Sequence, residues 1–172
     1  MSEPQHYEQR YEAMTRVFRD NPDAVLWLVL ANKVLTVIGY IAYPLLLIVT
    51  LLNGAWHELV RFVVVPAFGF VALSVFRSLY NAPRPYELFA IDPLIKKDTI
   101  GRSFPSRHAF SMMMIACSWT VWSLPVGIVL VVFACAMALI RVLAGVHFLR
   151  DVVVGVLFAI LCAIVGYGLI PW

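Results

Sequence analysis

Apolar and polar positions along this chain fall into long blocks, with little of the alternation that marks half-buried strands. Four stretches carry almost no charge. Residues 34–52 and 152–172 have none, 59–76 carry only Arg61, and 109–140 run for 32 residues without one. A bilayer core of ~30 Å takes about 20 residues of helix, so three stretches fit one crossing each. The stretch 109–140 would make a helix of about 48 Å, too long for a single span. Ser123-Leu124-Pro125 offers a place to turn, because Pro125 lacks an N–H and suits the first turn of a new helix. The pattern predicts an all-α, polytopic transmembrane helical bundle of five spans.

Upstream, Tyr7, Tyr11, Met14 and Phe18 recur at spacings of three and four, with Glu8, Glu12, Arg16 and Arg19 between them. This predicts an amphipathic helix in the membrane interface, with packing on another subunit or a soluble partner as the rival. Asp20-Asn21-Pro22-Asp23 ends it. Residues 24–31 are apolar but too short to cross alone; they read as the start of one long tilted helix or an interfacial lead-in, with a broken sixth span as the alternative. Residues 1–23 are therefore expected to form an amphipathic segment, and 24–172 a single transmembrane catalytic domain.

Composition agrees. Of 172 residues, 62% are apolar and 13% charged, where soluble domains carry roughly 45–50% and about 25%. That excludes a soluble globule. The net charge of +3 is too small to suggest nucleic acid as a partner. Cys117, Cys135 and Cys162 lie in uncharged runs with no metal-ligand spacing and read as packing residues. The first 23 residues hold no apolar stretch of the ~7–15 that a cleavable signal needs, so insertion is expected from the internal helices of a multi-pass cell-membrane protein.

The charges themselves are clustered: eight of the 23 lie in residues 1–23 and nine in 77–107. Counting spans puts Arg77, Arg84, Ser106, Arg107, His108, Arg141, His147 and Asp151 on one membrane face, while the other face offers only His57, Glu58 and Arg61. Positive-inside bias accounts for Lys96, Lys97, Arg102 and Arg150. It does not account for two of the four histidines and a His-to-Asp pair joining the same arginines. Basic groups near membrane depth call for a partner, and an anion supplies one.

Each group has a chemistry. Pro105 suits a helix start by its fixed φ, so the amides after Ser106 point an unpaired, positive dipole end outward, where phosphate binds. Ser106 adds a hydroxyl, and His108 is able to protonate a leaving oxygen. His147 and Asp151 are four residues apart, so the carboxylate orients one imidazole nitrogen and leaves the other as a nucleophile. Arg141 and Gly145 add a phosphate fork and a flexible turn just before that histidine. Arg84 precedes Pro85 and is pushed toward an extended conformation, from which it reaches back toward Arg77.

Three patterns, in order, carry a resemblance: Arg77-x6-Arg84-Pro85, Pro105-Ser106-Arg107-His108 and Arg141-x5-His147-x3-Asp151. Together they resemble the signature of the type 2 phosphatidic acid phosphatase (PAP2) superfamily, Lys-x6-Arg-Pro, Pro-Ser-Gly-His and Ser-Arg-x5-His-x3-Asp. The resemblance implies an integral membrane lipid phosphatase in which His147 attacks phosphorus, Asp151 orients it and His108 protonates the leaving alcohol. Arg84, Ser106 and Arg141 would hold the phosphate, with Arg77 in the place of the usual lysine, and no metal or other cofactor is implied. The expected partners are a phosphorylated lipid and the bilayer.

There are three departures. Arg77 replaces lysine and changes reach and hydrogen-bond geometry. Ile140 stands in place of serine. Arg107 replaces the glycine that lets backbone approach phosphate, so its guanidinium either joins the binding shell or faces the aqueous rim. On the first reading polyprenyl diphosphate leads phosphatidic acid and phosphatidylglycerol phosphate as substrate. Phosphotransfer to a non-water acceptor and non-catalytic binding or transport of phosphorylated lipids are the alternative functions.

Overall fold

The computed structural model describes the backbone of residues 3–171 and the side chains of 5–171; Met1, Ser2 and Trp172, at the ends of the expected segments, lie outside the described residues. Helix α1 (Glu3–Arg19) is followed by α2 (Pro22–Leu52), α3 (Trp56–Tyr80), a single turn α4 (Pro85–Leu88), α5 (Arg107–Trp122), α6 (Leu124–Leu143) and α7 (Leu149–Ala163), which continues into a π-helical segment, Ile164–Leu169. No strand occurs among the described residues.

Local chemistry sets these boundaries. Asn21 caps α2, its side chain accepting from the amides of Asp23 and Ala24, and Pro22 takes the first helical position. Residues 24–31 belong to this one helix of 31 residues, as the long-helix reading expects. Ser123 closes α5 and opens α6 at once, with Pro125 in the first turn of α6. The expected hairpin therefore turns on one residue.

Four stretches among the described residues are long and apolar enough to cross a membrane: Pro22–Leu52, Trp56–Leu88, Leu124–Leu143 and Leu149–Leu169. That is one fewer than the five spans expected. The difference is α5, whose 16 residues reach only about 24 Å. It is nevertheless the centre of the bundle, in contact with α2, α3, α6 and α7. Its Ala109, Phe110, Met112, Met113, Met114, Ala116 and Trp119 are buried, and a methionine-rich core joins it to Met137 of α6. The outer helices turn large apolar side chains outward, Tyr40 at 75% and Phe68 at 74% exposure, the surface expected where lipid is the solvent.

Helix α1 packs on the same chain, across the loop and turn of the site face. Tyr7 stacks on Phe89 and tilts against Phe148. The Glu8 carboxylate accepts from the Ala90 amide, the Tyr11 hydroxyl donates to the Leu143 carbonyl at 3.1 Å, and Arg19 pairs with Asp92. The inward stripe is Tyr11 and Thr15, both buried, flanked by the half-buried Tyr7 and Phe18; Met14, counted in the stripe by spacing, is 41% exposed and Thr15 takes its place. Thr15 tolerates burial because its hydroxyl donates to the Tyr11 carbonyl at 2.8 Å.

Candidate active site

The ends of α3 and α6, the starts of α5 and α7, and the connection 81–106 meet at one end of the bundle. Two glycines permit the approach. A Cβ on Gly155 of α7 would stand 2.7 Å from the Ser106 carbonyl oxygen, so only glycine lets α7 touch the start of α5 there. Gly145, at φ +73, makes the turn between α6 and α7 and lies under the Tyr11 hydroxyl.

That turn, 144–148, carries His147, which is 3% exposed. His147 and Asp151 do not share a helix, as their spacing suggests. Phe148 is the cap of α7 and Asp151 its third residue, so the carboxylate reaches back over the helix start. Asp151 Oδ2 accepts from the Phe148 amide at 3.1 Å, stands 3.4 Å from His147 Nδ1, and takes a short hydrogen bond from the Ser103 hydroxyl. Ser103 Oγ is itself 3.3 Å from His147 Nδ1. A carboxylate on Nδ1 favours the tautomer with its proton there and its lone pair on Nε2. Burial pushes the His147 imidazole down to about 4, with Arg84 and Arg141 in the same direction and Asp151 opposing them. It is neutral at physiological pH.

His108, in the first turn of α5, is oriented by a cation. Arg141 Nη2 lies 2.6 Å from His108 Nδ1. A guanidinium only donates, so Nδ1 is the acceptor and the ring proton sits on Nε2. Arg141 is 2% exposed; its Nη1 donates to Asn32 Oδ1 at 3.2 Å and its Nε is buried with no partner among the described residues. Arg84 has the extended backbone expected before Pro85, φ −92 and ψ 163. Its Nε donates to Gly101 O and its Nη1 to Val146 O, both at 3.1 Å. It thereby ties the long connection to the His147 turn, and Nη2 is left for a ligand.

Arg77 is placed differently. Its guanidinium donates to the carbonyls of Arg102, Ser103 and Pro105, so both terminal nitrogens serve the backbone that presents Ser103. The Ser103 amide donates to Ala82 O at 2.8 Å and completes the anchorage. Ser106 is fully buried as the cap of α5: its amide donates to the Asp151 carbonyl at 2.8 Å and its hydroxyl accepts from Ala109. The amides of Arg107 and His108 are the helix-start donors left to an anion. Arg107 is exposed at the rim.

Three further residues belong to the site. Ser103 bridges the His–Asp pair, Asn32 holds Arg141 from α2, and Lys97 is half-buried beside Arg141, Arg84 and Arg107. Burial, followed by those three arginines, pushes the Lys97 ammonium down to about 8. Nothing in the sequence separates Lys97 from neighbouring Lys96, and Ser103 stands outside the motif triplets; only its closeness to Pro105 hints at a role. A cavity of about 500 Å³ descends from His108 and Arg107 between α2, α3 and α5, walled by Tyr40, Tyr43, Phe70, Met112 and Ile115. Among the described residues no group of three or more His, Cys, Asp or Glu is placed to hold a metal ion.

A helical membrane bundle that gathers a histidine–carboxylate pair, a second histidine and arginines without carboxylate partners has the parts of a membrane phosphohydrolase. The chain belongs to the PAP2 superfamily, whose family model matches residues 58–172, and is a hydrolase of that type. No curated protein matches the sequence significantly. Two solved structures share the fold. The crystal structure of Aquifex aeolicus LpxE superposes with a TM-score of 0.72 at 24% identity, over 92% of this chain and 93% of that one. The transmembrane PAP2-type phosphatidylglycerolphosphate phosphatase of Bacillus subtilis superposes with a TM-score of 0.60 at 22% identity, over 98% and 96%.

Proposed function

We propose that the protein hydrolyses a phosphate or diphosphate on a membrane lipid through a phosphohistidine at His147. The observation that carries this reading is the paired orientation of the two imidazoles. His147 Nδ1 lies against Asp151 and Ser103, His108 Nδ1 lies on Arg141, and each ring keeps Nε2 for the reaction.

The Nε2 lone pair of His147 attacks phosphorus as the bond to the lipid oxygen breaks. Arg84, Arg141 and the first amides of α5 neutralise charge on the equatorial oxygens. An incoming phosphate oxygen competes with His108 Nδ1 for the Arg141 Nη2 donor. Freed of that donor, His108 accepts the proton of the phosphate monoanion, which has a pKa near 6, and passes its Nε2 proton to the leaving oxygen. Neutral His108 then takes a proton from the water that attacks the phosphohistidine. The N–P bond breaks, the departing phosphate takes the proton from His108 Nδ1 and so restores the ring with its proton on Nε2, and His147 returns to its lone-pair form.

The apolar walls of the 500 Å³ cavity beside His108 suit an acyl or prenyl chain. Arg107 and Lys97 exceed what one phosphate needs, which favours a polyprenyl diphosphate over phosphatidic acid or phosphatidylglycerol phosphate. The test is phosphate release from these three lipids by purified wild type beside His147→Ala. Release by wild type alone, fastest on the diphosphate, supports the reading; equal release by the variant overturns it. A phosphorylated acceptor in place of free phosphate identifies a transferase, and binding without turnover a lipid binder.

A further inference from the structure

A second cavity, of about 440 Å³, lies on the outer side of α3 and is not used by the chemistry above. Its walls change character along their length. At the site-face end are Arg102 and Arg107, with Ser78 beside them; toward the bilayer interior are Ser74, Val71 and Phe70. Ser78 and Phe70 are eight residues apart on one helix, about 12 Å, so the cavity has a cationic head and an apolar tail within one lipid leaflet.

Apart from Arg77, the polar side chains that carry the argument lack partners among the described residues. Arg102 and Arg107 are both exposed, and no ion pair joins either to a carboxylate among the described residues. Arg77 also touches the cavity, but its guanidinium is occupied by loop carbonyls. The Ser74 hydroxyl is buried with no hydrogen-bond partner among the described residues. Arg102 is held in position: it adopts φ 51, and its carbonyl accepts from Arg77. A left-handed non-glycine residue fixed by a buried arginine gives its side chain a rigid root.

We propose that this cavity is a second lipid site, separate from the catalytic cup, which binds an anionic phospholipid with its phosphate between Arg102 and Arg107 and a chain along Val71 and Phe70. Two guanidinium groups without acids fit a phosphate, and the apolar wall below them fits a chain but not a free anion. Phe70 and Arg107 also line the 500 Å³ cavity, so the two sites share one wall.

The test is lipid retention, read by native mass spectrometry of the full chain in neutral detergent with phosphatidylglycerol, phosphatidylcholine or inorganic phosphate. Phosphatidylglycerol is a phosphodiester and gives the catalytic centre no monoester to cleave. The expected result is one phosphatidylglycerol bound to wild type and to His147→Ala, with phosphatidylcholine retained at least about fivefold less, and with affinity about fivefold weaker in Arg102→Asn. Asparagine tolerates the left-handed backbone, so that variant keeps the loop. Ser74→Leu, which fills the cavity floor, should lose the adduct while releasing phosphate from substrate at the wild-type rate. Equal retention of the two lipids, or unchanged binding in both Arg102→Asn and Ser74→Leu, overturns the site. Loss of binding in His147→Ala makes it part of the catalytic cup, and displacement by millimolar inorganic phosphate means that a free anion, not a lipid, is recognised.

Discussion

Arg61, at one end of the bundle, and Arg141, at the other, are both arginines drawn into an apolar helical bundle, and their surroundings differ in kind. Arg61 has a carboxylate: Nη1 lies 2.8 Å from Glu58 Oε1, Nη2 donates to the Tyr167 carbonyl, and the guanidinium sits 5.7 Å over the Tyr167 ring. Arg141 has an asparagine oxygen and a histidine nitrogen. Arg84 has two carbonyls and Arg77 three. A carboxylate cancels the charge of an arginine; a neutral acceptor satisfies its geometry and leaves the charge unspent. The end with cancelled charge pins the C-terminal π-helical segment to α3, and the end with uncancelled charge is left to attract an anion.

Substitutions sharpen the contrast. His147→Ala should lower phosphate release by at least about 10⁴-fold without unfolding the detergent-solubilised protein, as read by turnover and by helical circular dichroism. Residual turnover within tenfold of wild type would place the nucleophile elsewhere. Arg141→Met should cost about 10²–10³-fold in kcat/KM, whereas Arg61→Met should leave kcat/KM within about threefold and lower Tm instead, because it strands Glu58 rather than a substrate. If the two variants behave alike, the distinction between cancelled and free charge fails.

Ser103→Ala keeps His147 and Asp151 but removes the hydroxyl that bridges them. The expected loss is about tenfold in kcat with KM unchanged, separated by steady-state kinetics from a binding defect. The smallest effect is at Lys97. The rate should rise with pH as His147 loses its proton near 4, well below the ordinary 6.5, and kcat/KM should fall above about 6 as the phosphate monoanion deprotonates and again, on an alkaline limb near 8, as Lys97 neutralises. Lys97→Met should flatten that alkaline limb and cost only a few-fold at pH 7. Stability should follow the same histidine: the unfolded chain takes up the proton at about 6.5 and the folded chain only near 4, so Tm declines as pH drops through that window.

The sequence makes legible those features that depend on fixed spacing or on one residue's backbone rule. The turn at Ser123, the break at residues 20–23, the extended Arg84 and the gathering of His108, Arg141, His147 and Asp151 at one end are of this kind. Features that depend on the route of the long connection are not. Arg77 sits where the motif expects a phosphate ligand, but residues 102–105 pass across its guanidinium and take its donors. His147 and Asp151 meet around a helix cap, although a four-residue interval equally suits a continuous helix. In α1, spacing alone cannot decide between Met14 and Thr15 as the inward residue, because an i−4 backbone hydrogen bond makes a buried threonine as acceptable as a methionine. The length expected of a span is not met at α5 for a related reason: a helix sheathed by its neighbours need not match the bilayer's thickness.

One thread of hydrogen bonds joins the greasy wall to the reacting atoms. Thr36 lines the chain cavity and donates to the Asn32 carbonyl at 2.7 Å; Asn32 grips Arg141 through its side chain, and Arg141 holds His108. On the proposed function, a hydrocarbon tail that displaced α2 would also displace the arginine hydrogen-bonded to His108. On that reading tail and headgroup act together, and a short-chain substrate analogue would engage only one of the two.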